Sequence, residues 1–139
     1  MVEIDSKFNG LARISIVNYY GDVLYDSFVK PIGEITNYRT DITGINEINL
    51  NDAIEFNECR KLVLKLLKNK IIIGHSLEND FMVLNYEHPK KLIRDTSKFK
   101  FFQSNLNLPY SLKFLTKSYL DHDIQQTHHD SVLLFINLD

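Results

Sequence analysis

The run Ile71-Ile72-Ile73-Gly74 constrains this chain most. Consecutive β-branched residues are stiff at χ1 and read as a strand buried on both faces. Gly74 ends the run and permits a sharp turn. Ser76 follows as a predicted N-cap, and a helix is expected from there to about Tyr86, before His88-Pro89 breaks it. Asp80 falls in the first turns of that helix. A strand, turn and helix in this order suit an α/β sheet, and such sheets build their sites beyond the carboxyl ends of their strands. A lone Asp on an amphipathic helix is ordinarily solvated, so Asp80 needs support from elsewhere in the chain.

The rest of the chain supplies the elements of a single α/β domain over residues 1–139. Residues 1–10 carry weak signals apart from the turn pair Asn9-Gly10. Residues 11–17 and 23–29 alternate or are rich in Val, Ile, Tyr and Phe, and predict a hairpin that Lys30-Pro31 closes. Residues 32–50 form a long polar connection, a length that is usually functional or ordered by partners. Asn51-Asp52 is a predicted N-cap for a helix over 53–68, with Ile54, Leu62, Val63, Leu66 and Leu67 at helical spacing. A short strand is expected over 92–96, a helix capped by Ser111 to about Leu120, a polar loop over 121–128, and a final apolar segment from Asp130 or Ser131. No central strand is visible before Leu11 to join the hairpin to the Ile71 strand. An open sheet edge is therefore expected beside residues 11–17.

Composition excludes several classes. No apolar run reaches the length of a membrane-spanning helix, so no membrane partner is expected. The single Cys59 excludes an internal disulfide framework, and no CxxC or Cys/His cluster suggests zinc. Net charge is −2, which by itself argues against nucleic acid. The charges are segregated, however. Residues 1–58 hold 4 Lys/Arg against 10 Asp/Glu, whereas residues 88–118 hold Lys90, Lys91, Arg94, Lys98, Lys100, Lys113 and Lys117 against Asp95 alone. With Phe99, Phe101, Phe102 and Tyr110 interleaved, that segment is either a face that tracks a phosphate backbone or a solvated lysine surface over an aromatic core.

Beyond these readings, an ordered series of motifs resembles a known family. The series is Leu11-Ala12-Arg13-Ile14-Ser15-Ile16-Val17-Asn18 with Gly21; Tyr25-Asp26 and Val29-Lys30-Pro31; Tyr38-Arg39-Thr40 with Thr43-Gly44-Ile45; Gly74-His75-Ser76 with Asn79-Asp80; His88-Pro89; Arg94-Asp95-Thr96-Ser97; and Tyr119-Leu120, Asp123-Ile124-Gln125 and His129-Asp130-Ser131-Val132. It is similar to the DEDDh 3'-to-5' exonucleases of the ribonuclease H-like fold, and most similar to their RNA exonuclease 4 subfamily.

The resemblance implies a mixed sheet with helices on both faces. It implies hydrolysis of single-stranded RNA from its 3' end, with DNA as the other candidate, in the nuclear or nucleolar setting of pre-ribosomal particles and rRNA processing. It also implies two Mg2+ or Mn2+ ions that clamp the attacking water and the leaving oxygen, with a histidine as general base. Carried onto this chain, Asp80 resembles a metal carboxylate and His129 the general base. Thr43, Gly44 and Ile45 resemble a loop beside the substrate's 3' end, and Lys90, Lys91, Lys98 and Lys100 are the expected nucleic-acid contacts. His75 is expected to be buried or capping, and Asp95 to hold Thr96-Ser97 in a turn. Two departures stand out. The family's Asp-x-Glu pair would precede Met1, and its last metal carboxylate falls at Leu134, for which Asp139 is a poor helical replacement. The chain is thus expected to be an incomplete domain, first strand missing, and either an exonuclease or an inactive RNA-binding or scaffold relative of one.

Overall fold

The computed structural model describes residues 1–124 and the backbone of residues 133–136. The strands are β1 (Val2–Ile4), β2 (Phe8–Gly10), β3 (Arg13–Val17), β4 (Val23–Lys30), β5 (Ile35–Asn37), β6 (Ile54–Glu55), β7 (Ile71–Gly74), β8 (Ile93–Asp95) and β9 (Leu133–Ile136). The helices are α1 (Thr40–Thr43), α2 (Glu47–Leu50), α3 (Phe56–Leu67), α4 (Leu77–Val83) and α5 (Leu112–Leu120).

The main sheet runs β6-β4-β3-β9-β7-β8. The hairpin forms where alternation predicts it: β3 and β4 pair antiparallel from Arg13↔Phe28 to Val17↔Val23, with a bulge between Ile16 and Val17. β7 and β8 pair in parallel, as a strand–helix–strand unit requires. The edge expected to stand open beside residues 11–17 is occupied. β9 lies there, parallel to β3 through Ile16↔Leu133 and antiparallel to β7 through Ile72↔Phe135. The helical geometry used to weigh Asp139 against Leu134 therefore does not apply, because Leu134 lies in a strand.

A second sheet, β2-β1-β5, draws on residues 1–10 and on the long polar connection. α1 and α2 order the remainder of that connection.

The period-2 alternation of β3 divides its side chains. Ile14 and Ile16 enter a core with Leu11, Val29, Ile72, Leu77, Leu84 and the inner stripe of α3, Cys59, Val63 and Leu67. That stripe follows the helical repeat, and Cys59 is fully buried with it. A smaller cluster of Val2, Ala12, Ile45, Leu50 and Ala53 ties the second sheet to the main one.

Three local expectations are corrected. α3 begins after β6, with Glu55 at its N-cap, so Asn51-Asp52 does not cap it. α4 ends at Val83 rather than near Tyr86. Ser76 sits in the left-handed region at φ 60° and makes no side-chain cap bond. A carboxylate from β8 takes over that role.

Candidate active site

The turn after β7 is held from outside itself. Asp95, at the end of β8, accepts from the Ser76 and Leu77 N–H groups at 2.9 and 3.0 Å, and from the Ser97 N–H and hydroxyl at 2.9 and 2.7 Å. One carboxylate thus caps α4 and pins the turn of residues 96–98. Burial pushes the Asp95 carboxyl up, but the Ser97 hydroxyl and the backbone N–H groups of Ser76, Ser97 and Leu77 outweigh it and hold the group below the usual carboxylate range. The structural role expected of Asp95 is what the geometry shows.

With the turn fixed, α4 presents Asn79 and Asp80 to a pocket of about 440 Å³. Its walls include Arg13 and Ser15 from β3, Arg39, Thr43 and Ile45 from the connection, and His75 and Ser76 from the turn. Asp80 and the Thr43-Gly44-Ile45 loop, far apart in sequence, therefore meet at one cavity. The loop is rigid. Thr43 donates its hydroxyl to the Tyr38 carbonyl at 2.9 Å and accepts from the Ile45 N–H at 3.1 Å, while Thr40 bonds the Ile45 carbonyl at 2.7 Å. Gly44, at φ 69°, closes α1 with a bond from its N–H to the Thr40 carbonyl.

The pocket's electrostatics are unusual for a site expected to hold cations. Burial pushes the Asp80 carboxyl up from 3.8 to about 6, with the Met1 amino group pulling the other way. Two guanidinium groups share the walls. Arg39 bonds Asn9 Oδ1 at 2.9 Å and Glu3 Oε2 at 3.3 Å. Arg13 grips Asp26 in a fork at 3.0 and 2.9 Å, and that contact, with a bond from Ser15 and against burial, holds the Asp26 carboxyl low. Sequence reasoning missed Arg13 and Arg39 as site residues. Both lie in the motif series, yet their convergence with Asp80 is a tertiary fact.

Other expected site residues lie elsewhere. Lys90 and Lys98 border a second groove, of about 1220 Å³, that contains Phe81, Met82, Tyr86, Ile93, Phe99 and Phe102. α4 separates the two cavities: Asn79, Asp80 and Val83 line the first, Glu78, Phe81 and Met82 the second. Lys98 is ion-paired with Glu78, and Lys91 and Lys100 are exposed. His129 lies outside the described residues.

A two-metal centre needs several carboxylates around one cavity. Among the described residues, no three His, Cys, Asp or Glu side chains come together, and Asp80 is the sole carboxylate lining the pocket. Among the described residues, the one carboxylate of this lining does not fit a pair of divalent ions.

A mixed sheet with a pocket beyond the carboxyl end of β7 defines a ribonuclease H-like α/β domain. Residues 3–133 match the family model described as Exonuclease, so the chain belongs to the exonuclease family. It is 47% identical to RNA exonuclease 4 of Mus musculus, over 87% of this chain and 28% of that protein. Among solved structures, the Pan2 catalytic unit of Neurospora crassa, with its protease and nuclease domain, superposes with a TM-score of 0.81 at 28% identity, over 94% of this chain and 24% of that one. The Pan2 pseudoubiquitin hydrolase-RNA exonuclease module of Saccharomyces cerevisiae, solved in complex with AAGGAA RNA, gives 0.73 at 31% identity, over 86% and 22%. The chain spans under half the length of the curated relatives it matches.

Proposed function

We propose that this chain binds the 3' end of single-stranded RNA in the Asp80 pocket, and that residues 1–139 by themselves do not hydrolyse it through two metal ions. The observation that carries this is the pocket's charge. Among the described residues Asp80 is its one carboxylate, pushed up to about 6 by burial. The Arg13 and Arg39 guanidinium groups in its walls are each paired with a carboxylate outside the lining, an arrangement that suits a phosphodiester better than a metal pair. The relatives named as RNA exonucleases and the Pan2 neighbour bound to RNA support RNA as the polymer.

The chemistry follows from what the pocket holds. Arg39, Asn79 and Ser76 bring polar groups to a phosphate, Arg13 adds positive charge to the wall while it grips Asp26, and the hydrogen-bonded Thr43-Gly44-Ile45 loop walls the terminal nucleotide. His129, if it reaches the pocket, can take a proton from water. A general base alone contributes about 10²–10⁴-fold, far below what phosphodiester hydrolysis needs. Lys90, Lys91, Lys98 and Lys100 are assigned to more distant nucleotides, on the other side of α4.

A second reading is a 3'-to-5' exoribonuclease that uses Mg2+ or Mn2+ with Asp80 as ligand and His129 as base. The family match across residues 3–133 favours it, since exonucleases of this family generally use divalent metals. One experiment separates the two. Residues 1–139 are incubated with 5'-labelled single-stranded RNA, with Mg2+, with Mn2+ and with chelator, while binding is followed by fluorescence anisotropy. The proposal expects saturable, salt-sensitive binding without shortening. Chelator-sensitive shortening from the 3' end would establish the second reading instead. Pre-ribosomal RNA as substrate and a nucleolar location follow from the same kinship, and imaging of the tagged protein in cells tests the location.

A further inference from the structure

His75 lines the Asp80 pocket, and its ring is fixed at one nitrogen only. Nδ1 lies 2.9 Å from Thr96 Oγ1, and the Thr96 hydroxyl donates to the Gly74 carbonyl at 3.0 Å. A hydroxyl has one proton to give. With that proton on Gly74, Thr96 Oγ1 faces His75 as an acceptor, so Nδ1 must carry the ring's hydrogen. Neutral imidazole then leaves Nε2 as a bare acceptor. Among the described residues no partner meets Nε2, whereas Thr96 stands on the far side, in the wall of the second groove.

The backbone beneath the ring is equally constrained. Ser76 is held at φ 60°, a conformation unfavourable for a residue with a Cβ, and the Asp95 carboxylate fixes the two N–H groups that follow. With Nδ1 turned to Thr96, Nε2 is the ring nitrogen left to the cavity, whose lining also holds Asp80, Asn79 and Ser76.

We propose that His75 is a binding residue of this pocket, its Nε2 accepting a hydrogen bond from a hydroxyl of the terminal ribose. The inference rests on the reading that the pocket takes an RNA 3' end. It adds a group that distinguishes a free sugar hydroxyl from a blocked or missing one, since a bare Nε2 accepts from an O–H.

The test compares 5'-fluorescent single-stranded RNA ending in ordinary ribose with the same RNA ending in 2',3'-dideoxyribose, bound to residues 1–139. The variants are His75→Asn, which keeps a group near Thr96 but loses the Nε2 position, and His75→Gln, which can return an acceptor to it. Wild type should bind the ribose-ended RNA roughly three- to tenfold more tightly, the worth of one net hydrogen bond. His75→Asn should bring that ratio close to one, and His75→Gln should restore part of it. ¹⁵N NMR of the free protein supplies an independent readout, with Nδ1 protonated and Nε2 bare. An unchanged ratio in His75→Asn, or a proton on Nε2, overturns the inference and leaves RNA binding standing. No binding of either RNA by wild type overturns both.

Discussion

Asp80→Asn tests the pocket's electrostatics most directly. In the unfolded chain the carboxyl titrates near 3.8, and in the folded chain near 6. Between those values the folded state holds a proton that the unfolded state has released. The contribution of this group is therefore fully present below pH 3.8 and is lost as the pH rises through 6. At 1.36 kcal/mol per pH unit, the difference corresponds to about 3 kcal/mol by pH 8. Asparagine keeps the shape and removes the charge, although its amide left short of partners costs about 1 kcal/mol. The variant should then be more stable than wild type by about 1–3 kcal/mol at pH 8, and the gap should close by about pH 4. For a chain of this size, that is roughly 4–10 °C in Tm. Urea titrations followed by circular dichroism across pH 4–8 measure it, tryptophan being absent from the sequence. A variant less stable than wild type at pH 8, or a gap that does not change with pH, would refute the idea that burial of Asp80 opposes its charge.

Asp95→Ala removes the acceptor shared by Ser76, Leu77 and Ser97 and should cost about 2–4 kcal/mol, read as a lower Tm at pH 7. Because the Asp95 carboxyl is held low in the folded state, its contribution is present above pH 3.8 and lost on further acidification, and a difference titration against the variant should show that loss. Replacing Lys90, Lys91, Lys98 and Lys100 with glutamine should flatten the salt dependence of RNA binding, by about 0.7 in logarithmic slope per lost phosphate contact. Lys98 should contribute least, being paired with Glu78.

How much was legible beforehand depends on how local each cause is. The β3–β4 hairpin and the α5 cap, where Ser111 Oγ accepts from the Phe114 N–H, are written in neighbouring residues. Ser76 misled because its expected bond is made by Asp95, nineteen positions on in the chain. The strands of the second sheet are three residues each, too short for alternation to register. The last apolar run has no decisive period, and pairing between β3 and β7 makes it a strand. At the site, Asp80 and the Thr43-Gly44-Ile45 loop were visible as motifs. The guanidinium walls and the tautomer of His75 were not, since each depends on partners brought in by the fold.

The place of β9 in the main sheet bears on the order of events during synthesis. Ile16 emerges from the ribosome long before Leu133, its neighbour across the sheet. Until then β6-β4-β3 and β7-β8 are two separate half-sheets, each ending on bare backbone donors and acceptors. Contacts so distant in sequence are slow to form, and a waiting strand edge can pair with another molecule. Nascent chains should therefore need a guardian on the β3 edge longest, and one that binds extended peptide would delay misassembly without disturbing the hairpin already made.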